Sequence, residues 1–227
     1  MIYRIIFSTL LIILIIVAFV LILYTPLKHH LQRKFTVTSI GRKVYKLAVD
    51  YDYLLVQNFS FRLDENKSAT FHHLLFGDKF FYCIVDRVYI GGITGSYKDE
   101  SIINYKSSKS DEYSLVPNPI VSNQRRVEKF SLVSGIERED LISIVLVNDD
   151  CLISEKLDVR NGRDFIIHIS DLPKLIKEIE SRHIGKINSK QIENVVREKI
   201  LRMNINYKEK RKKWIIAFQL RNAILLC

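Results

Sequence analysis

Cysteine is scarce and unpatterned. Cys83, Cys151 and Cys227 show no paired spacing and no CxxC unit, so neither a disulfide framework nor a structural zinc site is indicated. Cys83 sits inside an apolar run and reads as a small buried hydrophobe. A phosphate-cradling loop is lacking as well. Gly91-Gly92-Ile93-Thr94-Gly95 would need a helix directly after it. The adjoining stretch, Ser96 to Ser114, is polar, Lys- and Ser-rich and without an apolar helical face, and we read it as a surface excursion. No internal repeat is present. Acidic residues are outnumbered, 25 Asp and Glu against 35 Lys and Arg, for a net charge of +10 over 227 residues. Such a balance suits anionic partners, nucleic acid or lipid headgroups, and does not choose between them.

Charge is absent altogether from Ile5 to Tyr24. Sixteen of these twenty residues are Ile, Leu, Val or Phe. A helix of that length just crosses a hydrocarbon core of about 30 Å. Summed over the run, the apolar side chains favour insertion by about 5 kcal/mol. A cleavable signal would need a shorter apolar core and a small-x-small cleavage site; Tyr24-Thr25-Pro26-Leu27 offers none. Arg4 alone precedes the run, whereas Lys28, Arg33, Lys34, Arg42, Lys43 and Lys46 come after it. The positive-inside rule then places the N-terminus outside and the rest of the chain in the cytoplasm. The expectation is a single-pass cell-membrane protein with four regions: an anchor over 1–27, a basic juxtamembrane linker over 28–38, a folded domain over 39–184 and a basic helical extension over 185–227. The linker can also touch lipid headgroups.

Beyond the linker the pattern is that of an α/β domain. Ile40, Val44, Leu47 and Ala48 recur at helical spacing, with Ser39 as N-cap. Tyr53 to Leu63 reads as a strand with Leu55, Gln57, Phe59, Phe61 and Leu63 on the apolar side. Ala69–Phe76 and Lys79–Tyr89 are strands joined by a Gly77-Asp78 turn. After Asn118-Pro119, Ile120, Val127, Phe130 and Val133 form a helical stripe opposite Arg125, Arg126 and Lys129. Leu141 to Val147 is a continuous apolar run, as in a strand covered on both faces. Short strands at Cys151–Ile153 and Asp164–Ile169 precede a helix opened by Ser170-Asp171-Leu172-Pro173. A charged amphipathic stretch, Ser189 to Ile205, leads to the tail WIIAFQLRNAILLC. That tail is too short to span a bilayer and reads as an interfacial or docking helix.

Two motifs carry a resemblance. CIVDRVYIGGITG at Cys83 to Gly95 and VPNPIVSNQRR at Val116 to Arg126, in this order of elements, resemble the NERD (nuclease-related) domain. That domain is related to the PD-(D/E)xK restriction-endonuclease-like nucleases and is often tethered behind a membrane helix. The likeness covers Gly41 to Glu180. It implies a restriction-endonuclease-like mixed sheet flanked by helices.

It also implies a site. The family holds Mg²⁺ with carboxylates and organises the attacking water with a lysine. Anchored on Gly91, Ile93 and Gly95, its Glu-x-Lys pair falls on Val85 and Arg87. The acid of its strand Asp-His pair falls on His72, followed by His73, and its helical Glu falls on Arg42. Valine offers no ligand, His72 would be a single nitrogen, and Arg87 stays protonated. Asp86 points to the other strand face. The Gln and His of the family's NPxxQxxxH fall on Ser122 and Arg126. No catalytic or metal-binding residue and no cofactor is therefore expected. Arg42, Arg87, Arg125 and Arg126 would instead gather at the cleft and attract DNA or RNA phosphates. Two other readings stay open. One is an active Mg²⁺-dependent nuclease with relocated ligands; the other is a membrane-side module that binds lipid or a protein partner through the basic tail.

Overall fold

A computed structural model describes residues 12–20, 37–63, 67–105, 113–157, 162–182 and 200–203. The chain divides into two units, Met1–Ser39 and Ile40–Cys227. In the first, residues 12–20 are helical with every side chain exposed. Among the described residues no helix is long and apolar enough to cross a membrane. The rest of the Ile5–Tyr24 run, the basic linker up to Thr36, most of the stretch from Ser189 and the whole tail lie outside the described residues.

The second unit is α/β, with two mixed sheets and flanking helices. Helix α1 (37–50) starts before Ser39, which is therefore an interior residue and not the cap. Its buried stripe is Ile40, Val44, Leu47 and Ala48. Strands β1 (Leu54–Arg62), β2 (Ser68–Phe76) and β3 (Phe81–Arg87) come next as an antiparallel meander. The chain then builds β4 (Gly92–Thr94), β5 (Ser101–Tyr105) and β6 (Tyr113–Pro117) before helix α2 (Pro119–Ser134). Next, β7 (Leu141–Val147) lies parallel to β3, with Phe81 opposite Leu141 and Arg87 opposite Val147. Strand β8 (Leu152–Ile153), strand β9 (Asp164–His168) and helix α3 (Leu172–Glu180) complete the order.

The larger sheet runs β1-β2-β3-β7-β9. One face packs Ile142, Ile144 and Leu146 against α1 and α3. The other packs Leu141, Val145 and Val147 against α2. Every residue of β7 is consequently buried, as its unbroken apolar run requires. A clasp ties the β2–β3 turn to α3: Tyr82 Oη donates to Glu180 Oε1 at 2.6 Å, and the Lys79 N–H donates to Oε2 at 3.0 Å. Gly77 lies so close that a Cβ there would overlap Glu180 Oε1 and stand 2.8 Å from Tyr82 Cε2. At the far end of β3, the Asn148 side chain accepts from Tyr89 N–H and donates to Tyr89 O, both at 2.8 Å. It supplies what a neighbouring strand would and fixes the exit of β3 beside Arg87.

Three local expectations are corrected. The stretch Ser96 to Ser114 holds β5, which pairs with β4, and part of β6, which pairs with β5, in a second sheet of order β6-β5-β4-β8. Among its described residues only Ile102 is buried, so the strand is held by backbone pairing and shows little apolar pattern. On α2 the buried stripe is Ile120, Asn123, Val127 and Phe130, while Val133 is exposed. Asn123 is accommodated there because it donates to Cys83 O at 3.1 Å and Ser143 Oγ at 2.8 Å. On β1 the alternation reverses midway. Leu55 faces α1 and Val56 faces α2, yet Phe59 and Phe61 also face α2. The reversal falls at Asn58, whose φ of 51° is left-handed, a conformation asparagine tolerates better than most residues.

Candidate functional site

That reversal opens a fork in the sheet. Strands β2 and β3 pair from Phe76↔Phe81 to His73↔Ile84 and then part. The N-terminal half of β2 stays with β1 and leans over α2. There Phe59, Phe61 and Phe71 surround Phe130, with ring centroids 5.3–5.5 Å from it. Aromatic packing of this kind holds the hairpin away from β3. The space between the parted strands is a cavity of about 330 Å³ lined by Leu63, Ser68, Ala69, Thr70, His72, Val85, Arg87 and Arg126. The β2–β3 ladder resumes at His73 and Ile84.

Each lining residue has a reason to be there. Ser68, Thr70 and His72 alternate along β2, and Val85 and Arg87 along β3, so strand period two turns both sets toward the gap. Arg126 reaches in from α2, whose start is fixed by the Asn118 side chain. Its Oδ1 accepts from Ile120 N–H at 3.0 Å, and its Nδ2 donates to Asp99 O at 2.8 Å. Thr70 Oγ1 lies 2.8 Å from Ser60 Oγ.

Asp86 does not line the cavity. It lies on the α1 side, 7% exposed, with Oδ2 at 3.0 Å from His73 Nε2. His73 is itself buried, and Gly41 of α1 sits close enough that a Cβ would be 3.9 Å from its Cε1. Burial by itself would raise the Asp86 pKa; the hydrogen bonds and charges of His72 and His73 outweigh it and hold the carboxyl below its ordinary value. The half-exposed His72 bridges the two faces. Its Nδ1 accepts from the Asp86 backbone N–H at 2.8 Å, the N–H that β2 abandons at the fork. The ring proton then sits on Nε2. Asp86 Oδ2 is 3.4 Å from the same Nδ1, a contact that becomes an ion pair only when the ring is protonated.

Of the arginines singled out in the sequence, Arg87 and Arg126 meet in the cavity and Arg42 and Arg125 do not. Arg42 is exposed on α1. Arg125 is exposed and pairs with Glu100. Burial first, and the neighbouring Arg87 guanidinium second, pull the Arg126 pKa below its usual value. Among the described residues no carboxylate neutralises either guanidinium. Leu63, Ser68, Ala69 and Thr70 escaped the sequence reading. The Ser68-x-Thr70-x-His72 alternation was the signal available for two of them.

Among the described residues the lining does not fit Mg²⁺, which takes hard oxygen ligands at close to octahedral geometry. Val85 has no donor atom, the two guanidiniums repel a cation, and the Asp86 carboxylate is committed to His73 on the opposite face. Two guanidiniums, an imidazole and two hydroxyls are together chemically able to receive an anion. Comparison of the chain with protein-family models, with curated proteins and with solved structures returns no match.

Proposed function

We propose that this is a membrane-anchored, degenerate member of the NERD family whose forked cleft binds nucleic-acid phosphates and performs no metal-dependent cleavage. The reading is carried by one observation: Arg87 and Arg126 converge with His72 and two hydroxyl side chains in a cavity that, among the described residues, no carboxylate lines. Guanidiniums bind phosphate through charge-assisted hydrogen bonds, and in the tautomer set by the Asp86 N–H the ring nitrogen Nε2 of His72 adds another donor. The architecture supports the kinship. A mixed sheet flanked by helices carries the elements in the order on which the resemblance rests, and Val85, Arg87 and His72 share one cleft. The uncharged run Ile5–Tyr24 is the anchor, with the N-terminus outside and the domain at the cytoplasmic membrane face. The test is a binding titration of the full-length protein in detergent against DNA and RNA over a range of salt, with Arg87→Ala and Arg126→Ala as variants. Salt-sensitive binding that both variants weaken supports the reading; binding that neither alters removes the cleft from it.

A further inference from the structure

A cleft for nucleic-acid phosphates could take them mid-strand or at an end, and its shape and charge differ for the two. The gap between β2 and β3 runs into the paired ladder of the two strands, which begins at His73 and Ile84. A strand lying along the gap would meet that ladder, so the gap favours a strand that ends there over one that runs on past His73. At about 330 Å³ the space matches the small end of ligand pockets, about 300–1,000 Å³, the scale of a single nucleotide. Its charge is informative too. Arg87 and Arg126 bring two positive charges together, with no ion-pair partner among the described residues. An internal phosphodiester carries one negative charge and would leave one guanidinium uncompensated. A terminal phosphate monoester carries close to two at neutral pH. The rest of the lining is divided to match. His72 Nε2 and the Ser68 and Thr70 hydroxyls can address phosphate oxygens, while Leu63, Ala69 and Val85 form an apolar wall for sugar and base.

We propose that the β2–β3 fork is an end-binding site that takes the terminal phosphate of a single nucleic-acid strand between Arg87 and Arg126. This rests on the phosphate-binding reading above and narrows it to one kind of phosphate. Burial first, and Arg87 second, lower the Arg126 pKa, which agrees with the two guanidiniums lying close together in the cavity.

The experiment compares short single strands of one sequence that carry a 5′-phosphate, a 3′-phosphate or hydroxyls at both ends. Each is titrated by fluorescence anisotropy against the full-length protein in detergent at fixed salt. One phosphorylated end should bind about tenfold more tightly than the hydroxyl strand, the scale of one to two charge-assisted hydrogen bonds. A nucleoside monophosphate should compete for that increment and the matching nucleoside should not. Arg126→Ala and Arg87→Ala should each weaken the hydroxyl strand, as the general phosphate-binding reading requires, and should in addition bring the phosphorylated strand down to the same affinity, abolishing the increment. Arg126→Lys, which keeps the charge and loses the fork, should retain part of it. An unshifted thermal transition in each variant checks the fold. Equal affinity for all three strands overturns end recognition and leaves general phosphate binding standing. No binding of any strand overturns both readings. A full increment that survives both alanine variants places the terminal phosphate elsewhere and overturns the assignment to the fork.

Discussion

His72 and Asp86 are joined through the fork: the backbone N–H of Asp86, released when β2 leaves β3, is taken at 2.8 Å by Nδ1 of the His72 ring. A side chain thus replaces a missing strand, and it turns the opposite edge of the imidazole to the cavity. Replacing His72 by Ala should leave that N–H unpaired and cost about 1–2 kcal/mol, within the range for a lost buried hydrogen bond. His72→Asn, with a shorter acceptor, should recover part of it. Urea unfolding measures both, and an Ala variant as stable as the parent would show that the N–H finds another acceptor.

Asp86 should matter more for stability than for binding. Asp86→Ala leaves the buried His73 with no partner at Nε2, and its Nδ1 already has none. A loss of about 1–3 kcal/mol is expected. The pH dependence has a definite sign. The Asp86 carboxyl titrates lower in the folded chain than the value near 3.9 for the unfolded chain. Between those values the unfolded state holds more protons, so the stabilisation is complete above about pH 4 to 5 and is lost as pH falls toward the folded value. In Asp86→Asn the acid limb of melting temperature against pH should flatten. An acid limb of parental steepness would show that other carboxylates set it.

Gly77→Ala tests the clasp. The added methyl must displace Glu180 or Tyr82, breaking bonds that join the β2–β3 turn to α3. Overpacking of this kind costs about 1–3 kcal/mol. Calorimetry should show a fall of several degrees in melting temperature, while affinity for nucleic acid stays at the parental level because the clasp lies on the other face from the cleft.

Phe130→Ala should do both. It removes the ring on which Phe59, Phe61 and Phe71 converge, at a cost of about 3–5 kcal/mol. The hairpin wall of the cleft rests on the same ring. Binding should weaken even at temperatures where circular dichroism reports a folded chain; unaltered affinity there would separate the cleft from the aromatic cluster.

Salt dependence separates the arginines. The Arg87→Ala, Arg126→Ala double variant should lower the slope of log affinity against log salt by roughly one to two. Arg125→Ala should leave it nearly unchanged, since Arg125 is paired with Glu100 outside the cavity.

How far the sequence foretold this can be judged from particular residues. The strands β1, β2, β3 and β7 were readable because each announces itself by apolar content, and β7 by its lack of any polar face except Ser143, but their order in the sheet was not. The second sheet was not, because β5 and β6 bury almost nothing and depend on pairing partners that periodicity does not reveal. The opposite facing of Val85 and Asp86 is dictated by strand period alone, and His72 and His73 divide as one half-exposed and one buried ring. The fork itself was hidden. It arises from one left-handed residue, Asn58, opposite His72, and nothing in the local pattern marks Asn58 as such. For that reason Arg125 and Arg126 were indistinguishable in sequence although only one reaches the cleft.

The facing of β3 also constrains what this chain could become. Substitutions at position 86 can never deliver a carboxylate to the cavity; on this strand only positions 85 and 87 can. A glutamate arising at 85 would meet Arg87 and Arg126 before it met any cation, and would be claimed by them as an ion pair. A mutational path toward a metal centre must therefore discharge the guanidiniums before or together with gaining the acid, and each single step along it removes positive charge from the cavity without providing a ligand set. The present charge pattern is in that sense self-locking.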